Sequence, residues 1–525
     1  MALVAILALS AGVRLWRLGS PDDYMFDEVY YAKDAKAILD GRMDPKRDYP
    51  WEPGDVVSWA HPDAGKFAMA AGIALFGDRP LGWRLPSVVA GLVLLACVYP
   101  IARRLGLSPG WALTALVLAA SDLLGIAQSR IATLDVFVAA WTAVCVLCAL
   151  RYVQDGRRAW WLLLCGLAGG LAVATKWSGL LALAAALLLV ALGRRVSAFP
   201  TPVRDAAKAA GRRDAPRGAT GARGLARTAV SLALALVVVP AGVYLASYIP
   251  YFADGHTLAH FRELHSQMLH FNLTLSAPHS YASAAPTWIV DYRPVWYSFV
   301  DKSDYFGVVA MGNPFLWWTG VAALVAAPFL GLRRRASLPL LPAVLVATLY
   351  LPWFATSRTS FLYYMTPVAP FLAILVAAVA ATLVEGGRLE ARDGAAEAEL
   401  PLGQGPRHEA ATSRRTRLGL LALAALAAGV TALGWDSVGR VAAYAFWELP
   451  GRVSPSAAWA TAAVGVAAAI VLVAGGLVAA RTRPAVTVVI LGCIVGICVP
   501  FLPIVLNLGL PAERFYRLIW FTSWI

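Results

Sequence analysis

Two adjacent carboxylates, Asp27 and Glu28, are the residues whose type and position in this sequence are best suited to chemistry. They stand in the stretch DDYMFDEVYYAKDAKAILDG, directly after the first apolar segment. Charged residues make up only 14% of the chain, so a carboxylate pair among aromatic residues beside an apolar span indicates a reaction site. A carboxylate there can serve as a general base for a hydroxyl group. The alternative is an ordinary solvated loop.

The elements that must position this pair are membrane helices. The chain has 525 residues, 59% of them hydrophobic, and a mean hydropathy of +0.64. This composition excludes a soluble globule and predicts an all-α polytopic membrane protein. About thirteen spans are predicted at 2–18, 82–102, 111–127, 131–150, 160–175, 177–193, 228–249, 308–332, 337–356, 361–384, 418–435, 456–480 and 485–507. Residues 2–18 are expected to be a retained span or signal anchor.

Arginine clusters between the apolar runs predict the orientation in the membrane. The net charge of +14 could suggest a nucleic-acid partner, but the positive-inside pattern explains it instead. With the loop after the first span outside, every cluster falls inside: Arg103-Arg104, Arg157-Arg158, Arg194-Arg195, Arg333 to Arg335, Arg414-Arg415, and Arg481 with Arg483. Three segments are then predicted to be extracytoplasmic: 19–80, 250–307 and 508–525.

The same pattern predicts the domain organisation. A transmembrane catalytic module is expected over 1–384, with the acidic motif in its first outer loop (19–80) and a second outer loop at 250–307. Residues 385–417 have the Ala-, Gly- and Arg-rich composition of a cytoplasmic linker. C-terminal transmembrane helices and a Trp-rich outer tail are expected over 418–525. The six cysteines all fall in apolar segments and are interpreted as small buried hydrophobic residues.

Short blocks spread along the chain resemble the bacterial protein O-mannosyltransferases. The blocks are FDEVYYAKDA (26–35), HPDAGKF (61–67), WRLPS (83–87), SRIATLDVFVAAWT (129–142), ATKWSGL (174–180), HSQMLHFNLTL (265–275), GNPFLWW (312–318), SRTSFLYYMTPVAPF (357–371) and YRLIWFTSWI (516–525). They run in family order over nearly the whole chain. The Ala- and Arg-rich composition is similar to that of actinobacterial members.

This resemblance carries expectations about fold and function. The family is related to the eukaryotic dolichyl-phosphate-mannose protein mannosyltransferases of the glycosyltransferase-C superfamily. It implies a glycosyltransferase-C type helical bundle of about 11–13 transmembrane helices with two large extracytoplasmic loops. It also implies an inverting transfer of mannose from polyprenyl-phosphate mannose to Ser/Thr hydroxyls of exported proteins, in the plasma membrane and possibly beside the Sec translocation machinery.

Two blocks depart from the family pattern. The turn commonly written HPPLGK is HPDAGK here, with Asp63 in place of a proline, and Tyr30 stands where a His is frequent. Neither change removes the acidic pair. The second outer loop is too short for the β-trefoil domain of the eukaryotic enzymes, as expected of a bacterial form.

Transfer of a sugar from a polyprenyl phosphate needs a base for the acceptor hydroxyl, cations for the departing phosphate and a cavity that excludes water. One carboxylate is enough, because the phosphate leaves as a stabilised anion. We expect Asp27 to be the base and Glu28 to orient it, the acceptor or a nearby cation. Neighbouring carboxylates cannot flank the sugar from opposite sides.

Topology places four basic residues near the outer membrane face, where they can hold the phosphate: Arg84, Lys66, Lys176 and Arg358. The alternative for each is a side chain that snorkels to the interface. His61 is a second candidate for the phosphate or the catalytic loop, with a structural turn role as its alternative. Asp135, in the outer part of a span, is expected to be structural or donor-binding and to have a basic or hydroxyl partner.

No cofactor is firmly implied by the sequence. His256, His260 and His265 have helical spacing that suits a metal, but an amphipathic interfacial helix explains them equally. Binding of Mg²⁺ or Mn²⁺ by Asp27 and Glu28 is a further alternative. Two other functions stay open: a related polyprenyl-phosphate sugar transferase acting on a glycan or lipid, and a transporter or flippase, which predicts internal repeats that the sequence does not clearly show.

Overall fold

The computed structural model describes residues 1–41, 59–193, 222–333, 338–398 and 484–524. The predicted spans 418–435 and 456–480 lie outside these residues. The helices are α1 (Ala2–Leu15), α2 (Glu28–Leu39), α3 (Ala64–Phe76), α4 (Pro80–Arg104), α5 (Pro109–Ala120), α6 (Leu123–Gln128), α7 (Asp135–Gln154), α8 (Ala159–Thr175), α9 (Leu180–Ala191), α10 (Ala222–Ala233), α11 (Val239–Ala246), α12 (Ile249–Ala253), α13 (Leu258–Thr274), α14 (Ala285–Trp288), α15 (Pro314–Arg333), α16 (Leu340–Tyr350), α17 (Ala369–Ala398), α18 (Pro484–Phe501) and α19 (Ala512–Leu518).

The helices confirm the predicted polytopic membrane fold. Five helical segments are long and apolar enough to cross a membrane: Pro80–Arg104, Asp135–Gln154, Thr228–Ala246, Pro314–Gly331 and Thr487–Ile504. Shorter apolar helices of 10–17 residues accompany them within the described ranges. Pro80 and Pro109 each stand in the first turn of their helix, where a missing amide hydrogen costs nothing.

Helix α7 occupies the middle of the bundle and packs against α4, α8 and α9. Small residues let the backbones approach closely. A Cβ atom added at Gly166 of α8 would lie 1.9 Å from the carbonyl oxygen of Ala235, in the π-helical turn Leu234–Val238 that joins α10 to α11. Close backbone approach at small residues is the usual way in which membrane helices associate.

The loops and helix ends differ from the prediction at three places. The predicted first outer loop contains two helices, and α3 was missed because its apolar run of 13 residues is shorter than a membrane span. The span predicted to begin at 308 instead begins at Pro314, because the preceding apolar residues form a strand. Helix α17 continues to Ala398, into the predicted linker.

Within the described part of the chain, a β-hairpin that the sequence did not predict interrupts the mostly helical fold. Strand β1 (Val295–Asp301) pairs antiparallel with β2 (Tyr305–Ala310), with a bulge between Trp296 and Ser298. On its far side, β2 forms a single bridge from Tyr305 to Leu510, near the C-terminus. The predicted boundary between the second outer loop (250–307) and the next span (308–332) falls inside β2.

The three predicted outer segments contact one another. Asn272 of α13 donates a hydrogen bond to the carbonyl oxygen of Ala60, and Asn507 donates one to the hydroxyl of Ser20. The indole of Trp296 donates to the carbonyl oxygen of Trp524. These contacts gather the first loop, the hairpin and the C-terminal tail at one end of the bundle, around Asp27.

Candidate active site

The backbone before α2 turns sharply to present Asp27. Phe26 lies in the left-handed region with a φ of 45°, which is costly for a residue with a Cβ atom and is typical of functional sites. Asp27 follows as the N-cap of α2 and is half-buried. Its carboxylate accepts no hydrogen bond from any described residue. The turn therefore presents a carboxylate whose oxygens have no hydrogen-bond partner among the described residues.

Glu28 is turned the opposite way and is completely buried in an ion pair with Arg84. The Nε and Nη2 atoms of Arg84 each lie 2.8 Å from one carboxylate oxygen, the bidentate geometry that this pair favours. The amides of Met25 and Ala132 each donate a further bond at 2.9 Å. These four hydrogen bonds occupy both carboxylate oxygens of Glu28.

The remaining donors of Arg84 bind the backbone of the first loop. They contact the carbonyl oxygens of Leu18, Pro21 and Asp23. The Arg84 side chain is fully buried, so its guanidinium has no donor directed to a phosphate in this structure. Arg84 thus shapes the loop that carries Asp27, which is a different role from the phosphate binding predicted from sequence.

Asp27 shares its surroundings with a buried ion pair between Lys176 and Asp135. The ammonium group lies 2.9 and 3.0 Å from the two carboxylate oxygens. Asp135 begins α7, and Lys176 lies in the break between α8 and the 3₁₀ turn before α9. The basic partner predicted for Asp135 is therefore Lys176, and the pair stands at the membrane end of the site.

Burial raises the pKa of the Asp27 carboxyl to about 7, and the positive charge of Lys176 limits this rise while Asp135 adds to it. A carboxyl with this pKa is partly ionised at neutral pH. Its basicity is matched to accepting a proton from a hydroxyl group under physiological conditions.

Tyrosine side chains form the wall around Asp27, and the sequence reasoning did not single them out. The ring of Phe26 contacts Tyr297 of β1 at 5.0 Å and Tyr363 at 5.9 Å between centroids. Lys176 lies over the ring of Tyr364 at 4.3 Å. Burial raises the pKa of Tyr31, and the nearby charges of Asp27 and Asp135 raise it further, which keeps the phenol protonated as a donor. Two of them, Tyr363 and Tyr364, lie in the sequence block SRTSFLYYMTPVAPF (357–371).

The HPDAGK turn supplies one structural and one site residue. Lys66 is fully buried and pairs with Asp34 and Asp63 at 2.9 and 2.8 Å, so its charge joins the turn to α2. Asp63, the departure from the family pattern, is thus half of a local ion pair. Burial lowers the pKa of His61 well below its ordinary value, and Lys176 and Arg358 lower it further. His61 is therefore neutral and lies beside the two cations.

Arg358 is the predicted cation that remains most accessible. It is half-buried, and its Nη1 atom donates to the side-chain oxygen of Asn272 at 2.6 Å. Among the described residues, its Nη2 atom donates no hydrogen bond. Asn272 also donates a hydrogen bond to the carbonyl oxygen of Ala60, the residue before His61, so Asn272 joins Arg358 to the HPDAGK turn.

A small cleft of about 10 Å³, room for roughly one water molecule, begins at Asp135 and Tyr364. It continues between helices that carry mainly apolar side chains. Its other lining residues are Val138, Thr142, Ser178, Leu181, Leu349, Trp353 and Pro367. The cleft therefore places the polar side chain of Asp135 next to apolar side chains of α7 and the neighbouring helices.

The described residues do not favour a metal site. Among them, no three His, Cys, Asp or Glu side chains converge as ligands. Both oxygens of Glu28 are engaged, so the acidic pair does not offer two carboxylates to Mg²⁺ or Mn²⁺. His256 binds the backbone at Tyr251, His260 completes the N-terminal capping box of α13, and His265 lies 2.8 Å from the hydroxyl of Tyr244.

Comparisons with known proteins show that this helical bundle is a membrane-embedded glycosyltransferase. Two family models match the chain: Dolichyl-phosphate-mannose-protein mannosyltransferase over residues 4–254, and the C-terminal four TMM region of protein-O-mannosyltransferase over residues 257–432. The chain belongs to the protein O-mannosyltransferase family, which confirms the resemblance found in its sequence.

The individual proteins to which the chain is similar cover different shares of it. A polyprenol-phosphate-mannose–protein mannosyltransferase of Mycolicibacterium smegmatis is 30% identical over 446 residues, covering 72% of this chain and 81% of that protein. An undecaprenyl phosphate-alpha-4-amino-4-deoxy-L-arabinose arabinosyl transferase of Pseudomonas aeruginosa is 36% identical over 163 residues, 29% of this chain and 27% of that protein. The structure of the S. cerevisiae protein O-mannosyltransferase Pmt1-Pmt2 complex bound to the sugar donor shares the fold, with a TM-score of 0.63 and 12% identity over 100% of this chain and 92% of that one.

Arg84 and Arg358 are expected to differ in their effect on stability. Arg84→Ala leaves the Glu28 carboxylate buried without a partner and should lower the free energy of unfolding by about 3–5 kcal/mol. Arg358→Ala removes a half-buried side chain and should cost less than about 1.5 kcal/mol. Unfolding by SDS titration in mixed micelles measures both. Equal losses for the two variants would contradict the structural role of Arg84.

Proposed function

We propose that this chain transfers mannose from polyprenyl-phosphate mannose to Ser or Thr hydroxyls of exported polypeptides. The acceptor oxygen attacks C1 of the mannose, the bond from C1 to the phosphate oxygen breaks with its electron pair going to the phosphate, and the hydroxyl proton goes to Asp27. A single displacement of this kind inverts the configuration at C1. The observation that carries the proposal is the Asp27 carboxylate, which lies beside Lys176 and accepts no hydrogen bond from the described residues.

Asp27 is the base in this proposal, and Glu28 is its positioning residue. The Glu28 oxygens are all occupied by Arg84 and backbone amides, so Glu28 has no free lone pair directed to an acceptor. Asp27 has no such partners among the described residues, and a pKa of about 7 makes it an effective acceptor of a proton at neutral pH.

The leaving phosphate is held by Lys176 and Arg358. The Lys176 ammonium is balanced by Asp135 and faces Tyr364, and Arg358 has a free Nη2 donor. Neutral His61 between them adds one hydrogen bond without a charge. Arginine and lysine at this position stabilise the negative charge that develops as the bond to C1 breaks.

The active site faces the extracytoplasmic side of the plasma membrane in this proposal. The arginine clusters between spans support this orientation, and the three segments predicted to be outside contact one another around Asp27. An acceptor leaving the Sec translocation machinery would reach this side unfolded, with its Ser and Thr hydroxyls accessible.

A second candidate is transfer of another polyprenyl-linked sugar to a glycan or lipid. The local similarity to an arabinosyl transferase supports it, but over only 29% of this chain. The same base and phosphate site would serve either reaction. Membranes offered labelled polyprenyl-phosphate mannose or labelled polyprenyl-phosphate 4-amino-arabinose in parallel distinguish the two candidates by which donor is consumed.

Asp27→Asn removes the base and should lower the transfer rate by about 10²- to 10⁴-fold. Labelled polyprenyl-phosphate mannose and a Ser/Thr-rich peptide report the rate. In the wild type, kcat/KM should rise with pH as Asp27 loses its proton, with a midpoint of about 7, and level off above it. Asp22→Asn, an exposed change in the same loop, is the matched control and should leave the rate unchanged. Full activity of Asp27→Asn in folded protein would refute the assignment.

Arg358→Ala should weaken binding of the donor phosphate without unfolding the protein. Loss of one charge-assisted hydrogen bond predicts a fall of about 10- to 100-fold in kcat/KM for the donor, with KM for the peptide unchanged. Arg262→Ala on exposed α13 is the control cation. An equal effect of both changes would indicate a general charge effect and would exclude a specific phosphate contact at Arg358.

A further inference from the structure

Strand β1 is an edge strand with an unoccupied side. Its partner β2 is paired with β1 on one side and bridged by Leu510 on the other. Within the described part of the chain, the backbone of Val295–Asp301 forms no hydrogen bonds except those to β2. In an antiparallel pair, alternate residues direct their N–H and C=O groups away from the partner. Those of β1 are free to bind another strand.

The accessible part of this edge is the half that leads away from the active site. Val295, Trp296 and Tyr297 are buried, whereas Phe299 and Val300 are 47% and 37% exposed. Behind the exposed half, Tyr305 stacks on Phe515 with ring centroids 4.9 Å apart. The aromatic packing holds the hairpin rigid, which keeps the edge in place without a ligand.

The buried end of β1 reaches the catalytic loop. The Tyr297 ring contacts Phe26, the residue before Asp27, at 5.0 Å. The Tyr297 hydroxyl also accepts a hydrogen bond from Gln128 at 2.7 Å, which fixes this end of the strand against the bundle. A chain laid along Ser298–Asp301 and continued past Tyr297 therefore arrives at Asp27. At about 3.4 Å per residue, this edge holds a segment of about four residues.

We propose that the free edge of β1 binds the acceptor polypeptide as an added β-strand, with its Ser or Thr placed beyond Tyr297 at Asp27. This inference rests on the proposed function and adds to it the binding mode of the acceptor. Pairing through the backbone reads no side chains, so it selects an extended chain of almost any sequence. Folded acceptors are excluded because their strands are already paired.

The first test uses peptides with a single Ser as the only hydroxyl residue and a six-residue extension on one side of it. The β1 edge lies on one side of Asp27. Only one of the two peptides, the one extended before the Ser or the one extended after it, can therefore pair with β1. That peptide should have a kcat/KM about tenfold or more above that of the other. The peptide with the opposite extension has the same composition and is the matched control. Equal rates for the two peptides would overturn the proposal.

The second test removes backbone donors from the productive extension. N-methylation at alternate positions gives two complementary peptides, and only one set of N–H groups can face β1. One peptide should lose about tenfold or more in kcat/KM, and the other should stay within about threefold of the unmodified peptide. Equal loss, or no loss, in both peptides would overturn the added strand.

Failure of the proposed function gives a different result. If the unmodified peptide takes no mannose from polyprenyl-phosphate mannose in membranes holding the full wild-type chain, the proposed function fails and this inference fails with it. If the unmodified peptide is mannosylated and the two N-methylated peptides react at equal rates, the proposed function stands and the proposed binding mode is wrong.

Discussion

The buried ion pair between Glu28 and Arg84 is the interaction on which the rest of the site depends. Taking both charges out of water is costly, and only complete hydrogen bonding offsets that cost. Glu28 receives two bonds from Arg84 and one each from the amides of Met25 and Ala132. Because adjacent side chains at a helix start point in different directions, fixing Glu28 inward directs Asp27 to the other side. Glu28 thus has a structural role, and Asp27 keeps a carboxylate that no described residue binds.

Asp27 stands in an environment that opposes its charge. Burial holds its pKa near 7, well above the unfolded value of about 4. The folded state therefore binds a proton that the unfolded state has lost, and this contribution to stability is present below pH of about 4 and is lost as the pH rises through about 7. At neutral pH the fold keeps an unfavourable charge at this position. Such a cost is expected of a functional residue and is not expected of a solvated loop.

The sequence predicted the membrane fold and the family, but it did not separate structural from accessible charges. Arg84 and Arg358 looked alike in sequence, since each precedes or opens a span. Only the three-dimensional arrangement shows that the donors of Arg84 are all used and that one donor of Arg358 is free. Lys176 and Asp135 are 41 residues apart, so their pairing depends on how α7 and α8 pack.

The β-hairpin and the tyrosine wall were beyond sequence reasoning for a related reason. Residues of β2 have the same apolar character as the helix that follows, so hydropathy alone merged them into one span. Tyr297 becomes a site residue only because β1 brings it to Phe26. Composition determines which residues are buried in a membrane protein, whereas the neighbours of a given side chain depend on the packing of distant segments.

The protonation state of Asp27 tests the central claim most directly. Infrared difference spectroscopy of protein labelled with ¹³C-aspartate, titrated in detergent and compared with Asp27→Asn, isolates the band of this carboxyl. The expected result is a carboxyl that titrates with a midpoint of about 7 and is absent from the variant. A carboxyl that is already ionised well below neutrality, with the ordinary pKa of about 4, would contradict the account.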